Sequence, residues 1–395
     1  MSSIKDKYKE TARSMLAKQS SLLGAAVDEV LFPDDNLLNP IISVPKAKKR
    51  VLIGPTNSAG QGYLWANSVN KFCPGVEARN FAYRNTFGFP ANFKIDISLA
   101  KSKEWQLTAE EAILKYSHIL IEAQKPLLAK IHPDVELWVK ELQNLGISTA
   151  TLSHGSDIRN PQKHAQRESE SPFVNPEEQL TDKLQKITEK NYHLLAQLQQ
   201  DGVPAFVSTL GLLSDVPWAT WLPVVVKPKI WKAKQPPLIR KRPVVMHAPS
   251  KSIMKGSDLI DPILKELHDE NLIHYVRIQN RDHMSMPRLI ASSDIVVDAL
   301  RIGDYGVAAV EAMAAGRVVL SHVGAEVRNR VEQETGFTVP IVEVERGGAL
   351  REQILQIINN RDAYRELGIE GTRYVNRIHS GKYSADVLWE NWLSR

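Results

Sequence analysis

Sulfur chemistry is almost missing from this chain. Cys73 is the single cysteine among 395 residues, so no internal disulfide can form and no thiolate cluster can hold a metal. That poverty suits a reducing cytoplasm. No run of about 18 apolar residues occurs, so no segment reads as a membrane span. Met1-Ser2-Ser3-Ile4-Lys5-Asp6 has no apolar stretch of the kind a secretory signal needs. Also missing are an Asp-x-Asp run, zinc-ligand spacing, an RNA-binding aromatic motif, a helix-turn-helix pattern and a repeat of 20–50 residues. Nucleic acid is therefore not an expected partner, and no metal is called for.

What is present is ordinary globular material. Hydrophobic residues make up 43% and charged residues 24%, and the length suffices for two domains with separate cores. The net charge of +5 and pI near 9.0 suit anionic ligands. They also allow transient contact with an anionic membrane surface, which would place the protein peripherally on the inner face.

Strand-like runs alternate with helical periodicity along most of the chain. Residues 1–46 read as a helical arm, with Ile4, Tyr8, Ala12, Met15 and Leu16 on one face. Such an arm can pack on its own protein, lie on a membrane or pair two copies. Residues 47–226 form a first β-α series, with strands at 49–55, 76–83, 93–99, 117–122, 147–153, 205–209 and 221–226. Helices are expected at 63–70, 127–145 and 178–199, with a loop over 158–177. Residues 227–242, rich in Lys and Pro, read as a linker. A second series over 243–378 has strands at 243–248, 274–278, 294–299, 317–321 and 341–345. Residues 379–395 form a terminal helix. The predicted fold class is α/β, two Rossmann-like doubly wound parallel-sheet domains facing a cleft, with ligands at the carboxyl ends of the strands.

The most informative stretch runs from Gly303 to Val319. A glycine-bearing loop is followed by a short helix of small residues and then a buried strand. Gly306 permits close approach of a ligand, and the amides of Val307 and Ala308 would be open donors at a helix start, suited to phosphate. Glu311, one turn in, could accept hydrogen bonds from a ribose diol. A plain β-α-β unit with a solvated glutamate fits the same residues. Lys251 and Lys255 lie on a loop before another helix and could clamp a diphosphate, or be a solvated turn. His154 ends a strand ahead of Gly155, where a site residue or a hydrogen-bonded structural histidine would sit. His247, Asp294 and Asp298 are assigned no chemistry.

Lys255-Gly256 followed by a helix, and Gly306…Glu311-Ala312-Met313-Ala314-Ala315-Gly316, resemble the retaining nucleotide-sugar glycosyltransferases of the GT-B fold. The similar family is the large one (family 4-like, group 1) that transfers sugars in polysaccharide and glycolipid synthesis. The resemblance is carried by 243–345. Over 49–157 only the Gly60/Gly62 loop and His154-Gly155-Ser156-Asp157 match. It implies a hexosyltransferase that takes a nucleotide diphosphate sugar as co-substrate, uses no cofactor, and acts on a carbohydrate, lipid-linked or protein-linked acceptor. Glu311 would bind ribose. Gly306 and Val307 would hold the diphosphate with Lys255, and Lys251 would replace an arginine. Gly60 and Gly62 would let the first domain's loop approach donor and acceptor, and His154 would face the reacting sugar. The terminal helix would cross back to the first domain. The family's earlier glutamate, eight positions before Glu311, is here Gly303, with Asp304 beside it as the candidate replacement. An active transferase, a silent subunit of the same fold and a sugar-nucleotide epimerase all fit these features.

Overall fold

The computed structural model describes residues 41–83, 88–174, 178–279, 281–345 and 347–395. The helix expected within 1–46 lies outside them, save for 41–46. Among the described residues no helix is long and apolar enough to cross a membrane.

Two sheets organise the chain, and every strand pairing in them is parallel. The first contains β1 (Lys49–Gly54), β2 (Val76–Tyr83), β3 (Phe93–Ile95), β4 (His118–Glu122), β5 (Ser148–Ser153), β6 (Ala205–Val207) and β7 (Thr220–Trp221). Its order is β3-β2-β1-β4-β5-β6-β7. The second contains β8 (Val244–His247), β9 (His274–Arg277), β10 (Ile295–Val297), β11 (Val318–Ser321) and β12 (Val342–Glu343). Its order is β12-β11-β10-β8-β9. Val51-Leu52-Ile53 and Ile295-Val296-Val297 are buried throughout, as strands covered by helices on both faces must be. The strand order reverses between β1 and β4 and again between β8 and β10. Each reversal opens a crevice at the carboxyl ends of the strands, where ligands of such sheets bind.

Several local expectations shift. The helix expected over 127–145 begins only at Val135, because Pro133 opposes a helical residue before it and the Asp134 side chain caps the amides of Glu136 and Leu137. The preceding Leu127 and Leu128 are buried in a turn. An unforeseen helix, Lys103–Ile113, starts at Ser102, whose side chain accepts from the Trp105 amide. The expected loop 158–177 contains a helix, Pro161–Arg167, with Asn160 as cap and Pro161 in the first turn. The strand expected at 221–226 ends at Trp221. Beyond it the chain runs extended, held by the Gln61 side chain at both the amide and the carbonyl of Val225. Within the expected linker, Pro228–Trp231 is a helical turn whose Trp231 is buried.

The chain crosses between the sheets a second time near its end. The helix Lys382–Leu388 and the turn Trp389–Leu393 bring Ala385, Leu388, Trp392 and Leu393 into one apolar cluster with Val51, Ile53, Trp65 and Leu152. Trp392 donates its indole N–H to Ser148 Oγ at 2.9 Å. The two crossings are tied together where the Val226 amide donates to the His379 carbonyl.

Candidate active site

The first domain contributes the loop after β1. Asn57, Ala59 and Gly60 all take positive φ (48°, 50° and 73°), so the chain reverses tightly before the helix Gln61–Phe72. Glu122, wholly buried at the end of β4, holds this loop by accepting from the amides of Thr56 (3.0 Å) and Asn57 (2.8 Å). Its other oxygen faces His154 Nε2 at 3.1 Å. Burial disfavours protonation of His154, yet the hydrogen bond and charge of Glu122, with Asp157 nearby, hold its pKa above the ordinary value. Trp65 stacks on the same ring. His154 is thus a fixed, carboxylate-braced group.

The second domain contributes three segments. Lys255 Nζ lies 2.5 Å from Asp298 Oδ1, at the β8/β10 crevice. Lys251 is exposed and makes no ion pair among the described residues. The helix Val307–Ala314 starts after Gly306, with no side chain capping it and open space where a Gly306 side chain would lie. Glu311 is buried and accepts from His283 Nε2 at 2.9 Å, with the ring taken as the Nε2–H tautomer. Burial raises its pKa and His283 opposes that rise; the charges of Asp298 and Lys255 also reach it.

A cavity of about 370 Å³ separates these walls, lined by Gly60 and Phe89 from one side, His283 and Glu311 from the other, and Lys227 and Trp231 at the crossing. Phe89 packs on the His283 ring at 4.6 Å, and a β-carbon on Gly60 would touch Phe89. Gly60 and Glu311 therefore meet across one space. Gly62 does not line it. The room beside Gly62 is taken by Asn57, Asn80 and Glu122. His154, Lys251 and Lys255 also lie outside its lining.

The sequence of the chain matches no family model and no curated protein. Solved structures do match. Sucrose-phosphate synthase from Thermosynechococcus elongatus aligns over 87% of this chain and 98% of its own, with a TM-score of 0.54 and 12% identity. HepE from Anabaena, in complex with UDP and glucose, aligns over 88% and 99%, with a TM-score of 0.56 and 13% identity. A glycosyltransferase from Rickettsia africae aligns over 88% and 98%, with a TM-score of 0.55 and 11% identity. The fold is GT-B.

Within this GT-B cleft Asp304 is not turned to open space. It is buried and accepts from the amides of Gly211 (3.0 Å) and Tyr305 (2.9 Å), with Arg159 at 3.7 Å. Burial raises its pKa, and Arg159 opposes the rise. It braces the second domain against the first. The partners Glu122, Phe89 and His283 escaped the sequence reading, and Asp298 was assigned no chemistry there. Glu122 and Asp298 carried a usable signal, each as a charged residue at the end of an otherwise apolar strand. His247, as expected, is packing: it is fully buried between the Val297 carbonyl and Ser257 Oγ.

Proposed function

We propose that this chain transfers a sugar, with retention and without a metal, from a nucleotide diphosphate sugar to a glycan, lipid-linked or protein-linked acceptor. One observation carries the proposal: a buried carboxylate, Glu311, opens onto a cavity closed by the glycine loop of the opposite domain. A ribose diol supplies O–H donors to a carboxylate that His283 already orients. HepE, of the same fold, has been solved with UDP-glucose, which makes uridine the first base to test.

The chemistry follows from where charge develops. Breaking the bond from the anomeric carbon to the diphosphate leaves negative charge on phosphate oxygens. The uncapped amides of Val307 and Ala308 and the ammonium of Lys255 are the donors for it. Asp298 fixes Lys255 by one of its three N–H groups, leaving two for phosphate. A single preorganised donor of this kind is worth about 10²–10³ in rate. Lys251, which precedes the helical turn Ser252–Lys255 rather than sharing the expected loop with Lys255, adds a further positive charge. His154, fixed in place by Glu122, would face the reacting sugar. Closure of the domains would exclude water.

Isothermal titration of the protein with UDP, GDP and dTDP, with and without EDTA, tests this. One diphosphate binds, EDTA leaves its affinity unchanged, and Glu311→Gln weakens it about tenfold or more, as expected for loss of a charged acceptor. Absence of binding by all three, or full affinity in Glu311→Gln, overturns the proposal.

A further inference from the structure

The helix Arg361–Tyr374 leads along the second domain into the turn Val375–His379 and so to the return crossing. Its solvent side is continuous with two loops. At its start Arg361 donates to the carbonyls of Leu238 (3.3 Å), Arg240 and Lys241 (2.8 Å). Farther on, a β-carbon at Gly368 would touch Pro237. Toward its end a cavity of about 820 Å³ has Ile369, Glu370, Arg373 and Arg377 in its wall, together with Phe337 from the loop after the helix Ala325–Thr335. The Arg377 guanidinium lies 5.8 Å from the centre of the Phe337 ring. The turn 238–241, the helix and Phe337 therefore make one face.

That face exposes three large apolar side chains: Ile239 at 53%, Ile369 at 47% and Phe337 at 41%. Ile239 is held outward by a locked turn. Leu238 before it has φ of 61°, costly for a bulky residue, and its side chain is fully buried. Its amide donates to Asp294 Oδ1 at 2.8 Å. Strain of this kind persists only where the surroundings enforce it. The charge around these residues is one-sided. Residues 227–242 hold seven lysines and arginines and no acid, against a net charge of +5 for the whole chain. Lys232, Lys234, Lys241 and Arg377 make no ion pair among the described residues. On the helix, Asp362 is paired with Arg365 and Glu366 with Arg373, so Glu370 is the one carboxylate left in the cavity wall. A soluble polyanion would engage the cations and leave the apolar tips wet. An apolar protein surface would strand the ammonium groups. A bilayer with anionic headgroups satisfies both, since phosphates meet the cations and the acyl boundary receives the apolar tips.

We propose that this face of the second domain, formed by the turn 238–241, the outer side of the helix Arg361–Tyr374 and Phe337, docks on a bilayer containing anionic phospholipid. Ile239, Ile369 and Phe337 enter the headgroup boundary, and Lys232, Lys234, Lys241 and Arg377 meet the phosphates around them. The docking goes beyond the sugar transfer proposed above and does not depend on it.

The experiment sediments the full chain with vesicles, without nucleotide, so its outcome is separate from that of the nucleotide titration. Vesicles of phosphatidylcholine alone are compared with vesicles of equal parts phosphatidylcholine and phosphatidylglycerol. The mixed vesicles bind at least about tenfold more tightly, and raising salt from about 0.1 M to about 0.5 M weakens that binding. Lys232→Glu with Lys241→Glu weakens it about twentyfold or more, at about fivefold for each cation near an anionic surface. Ile239→Asp with Phe337→Asp weakens it about tenfold or more, as for loss of inserted apolar groups. Leu137→Asp, an equally exposed site on the first domain, leaves it unchanged. Thermal melting followed by circular dichroism checks that each variant is folded. Should the double apolar variant fail to fold, Ile239→Asp alone carries the test, because that side chain lies outside the core. Equal binding to both kinds of vesicle, or to neither, overturns the proposal. So does full binding by both the charge and the apolar variants. A lipid-free dimer that Ile239→Asp dissociates, read by sedimentation equilibrium, gives the face to a second copy of the chain and overturns the proposal as well.

Discussion

His322 shows how single residues join the two halves of this protein. Its two nitrogens lie 2.7 Å from Glu168 and from Glu343. Those hydrogen bonds, against the pull of burial, raise its pKa to about 9, from about 6.5 in an unfolded chain. A raised folded pKa gives stability that is complete below the unfolded value and lost as pH rises through the folded one. Thermal melting should therefore fall between about pH 7 and 9.5, and His322→Gln should flatten that decline. An unchanged slope in the variant would assign the effect elsewhere. At this scale the sequence was partly legible. Glu311 could be located because its meaning depends on near neighbours, a glycine loop and a helix start. His283, Phe89 and Glu168 could not, because each acquires its role from a partner on another segment. Asp304 was misleading for the same reason: its proximity to Gly303 in sequence says nothing of Gly211 and Arg159, which claim it in space.

Elements were more legible where hydrophobic period alone decides them. The buried strands β1, β4, β10 and β11 announce themselves as apolar runs. The helix Lys103–Ile113 does not, since only Gln106, Ala109 and Ile113 of its residues are buried. The late start at Val135 is set by a cap and a proline rather than by period. The terminal segment offers the sharpest element-scale prediction. Trp392 is 2% exposed and seals the cluster around Val51, Ile53 and Trp65. Trp392→Ala should cost about 3–5 kcal/mol in urea unfolding, the range for a large buried side chain. A loss below about 1 kcal/mol, typical of an exposed site, would make the segment an appendage.

For the whole molecule, alternation of strands and helices foretold two parallel sheets, but not their strand order, which no local pattern encodes. Nor did it foretell that residues 160–174 leave the first sheet to pack against the second domain. Two buried histidines stand at this junction: His164 on the Ile302 carbonyl, and His379 between the Val224 carbonyl and Tyr305. Burial lowers each to about 4. Such a group stabilises the fold above its unfolded pKa of about 6.5 and ceases to do so as pH falls toward the folded value. Acidification from about pH 6.5 to 4 should therefore loosen the junction, read as a larger radius of gyration by solution scattering before the sheets themselves unfold by circular dichroism. A radius constant until global unfolding would show the domains to be tied by other contacts. The return crossing has a consequence for how the chain is made. Ala385, Leu388, Trp392 and Leu393 complete the first domain's floor, yet a ribosome synthesises them only after the entire second domain. The nascent first domain must wait, its greasy underside uncovered or sheltered by chaperones, until translation delivers its own missing pieces.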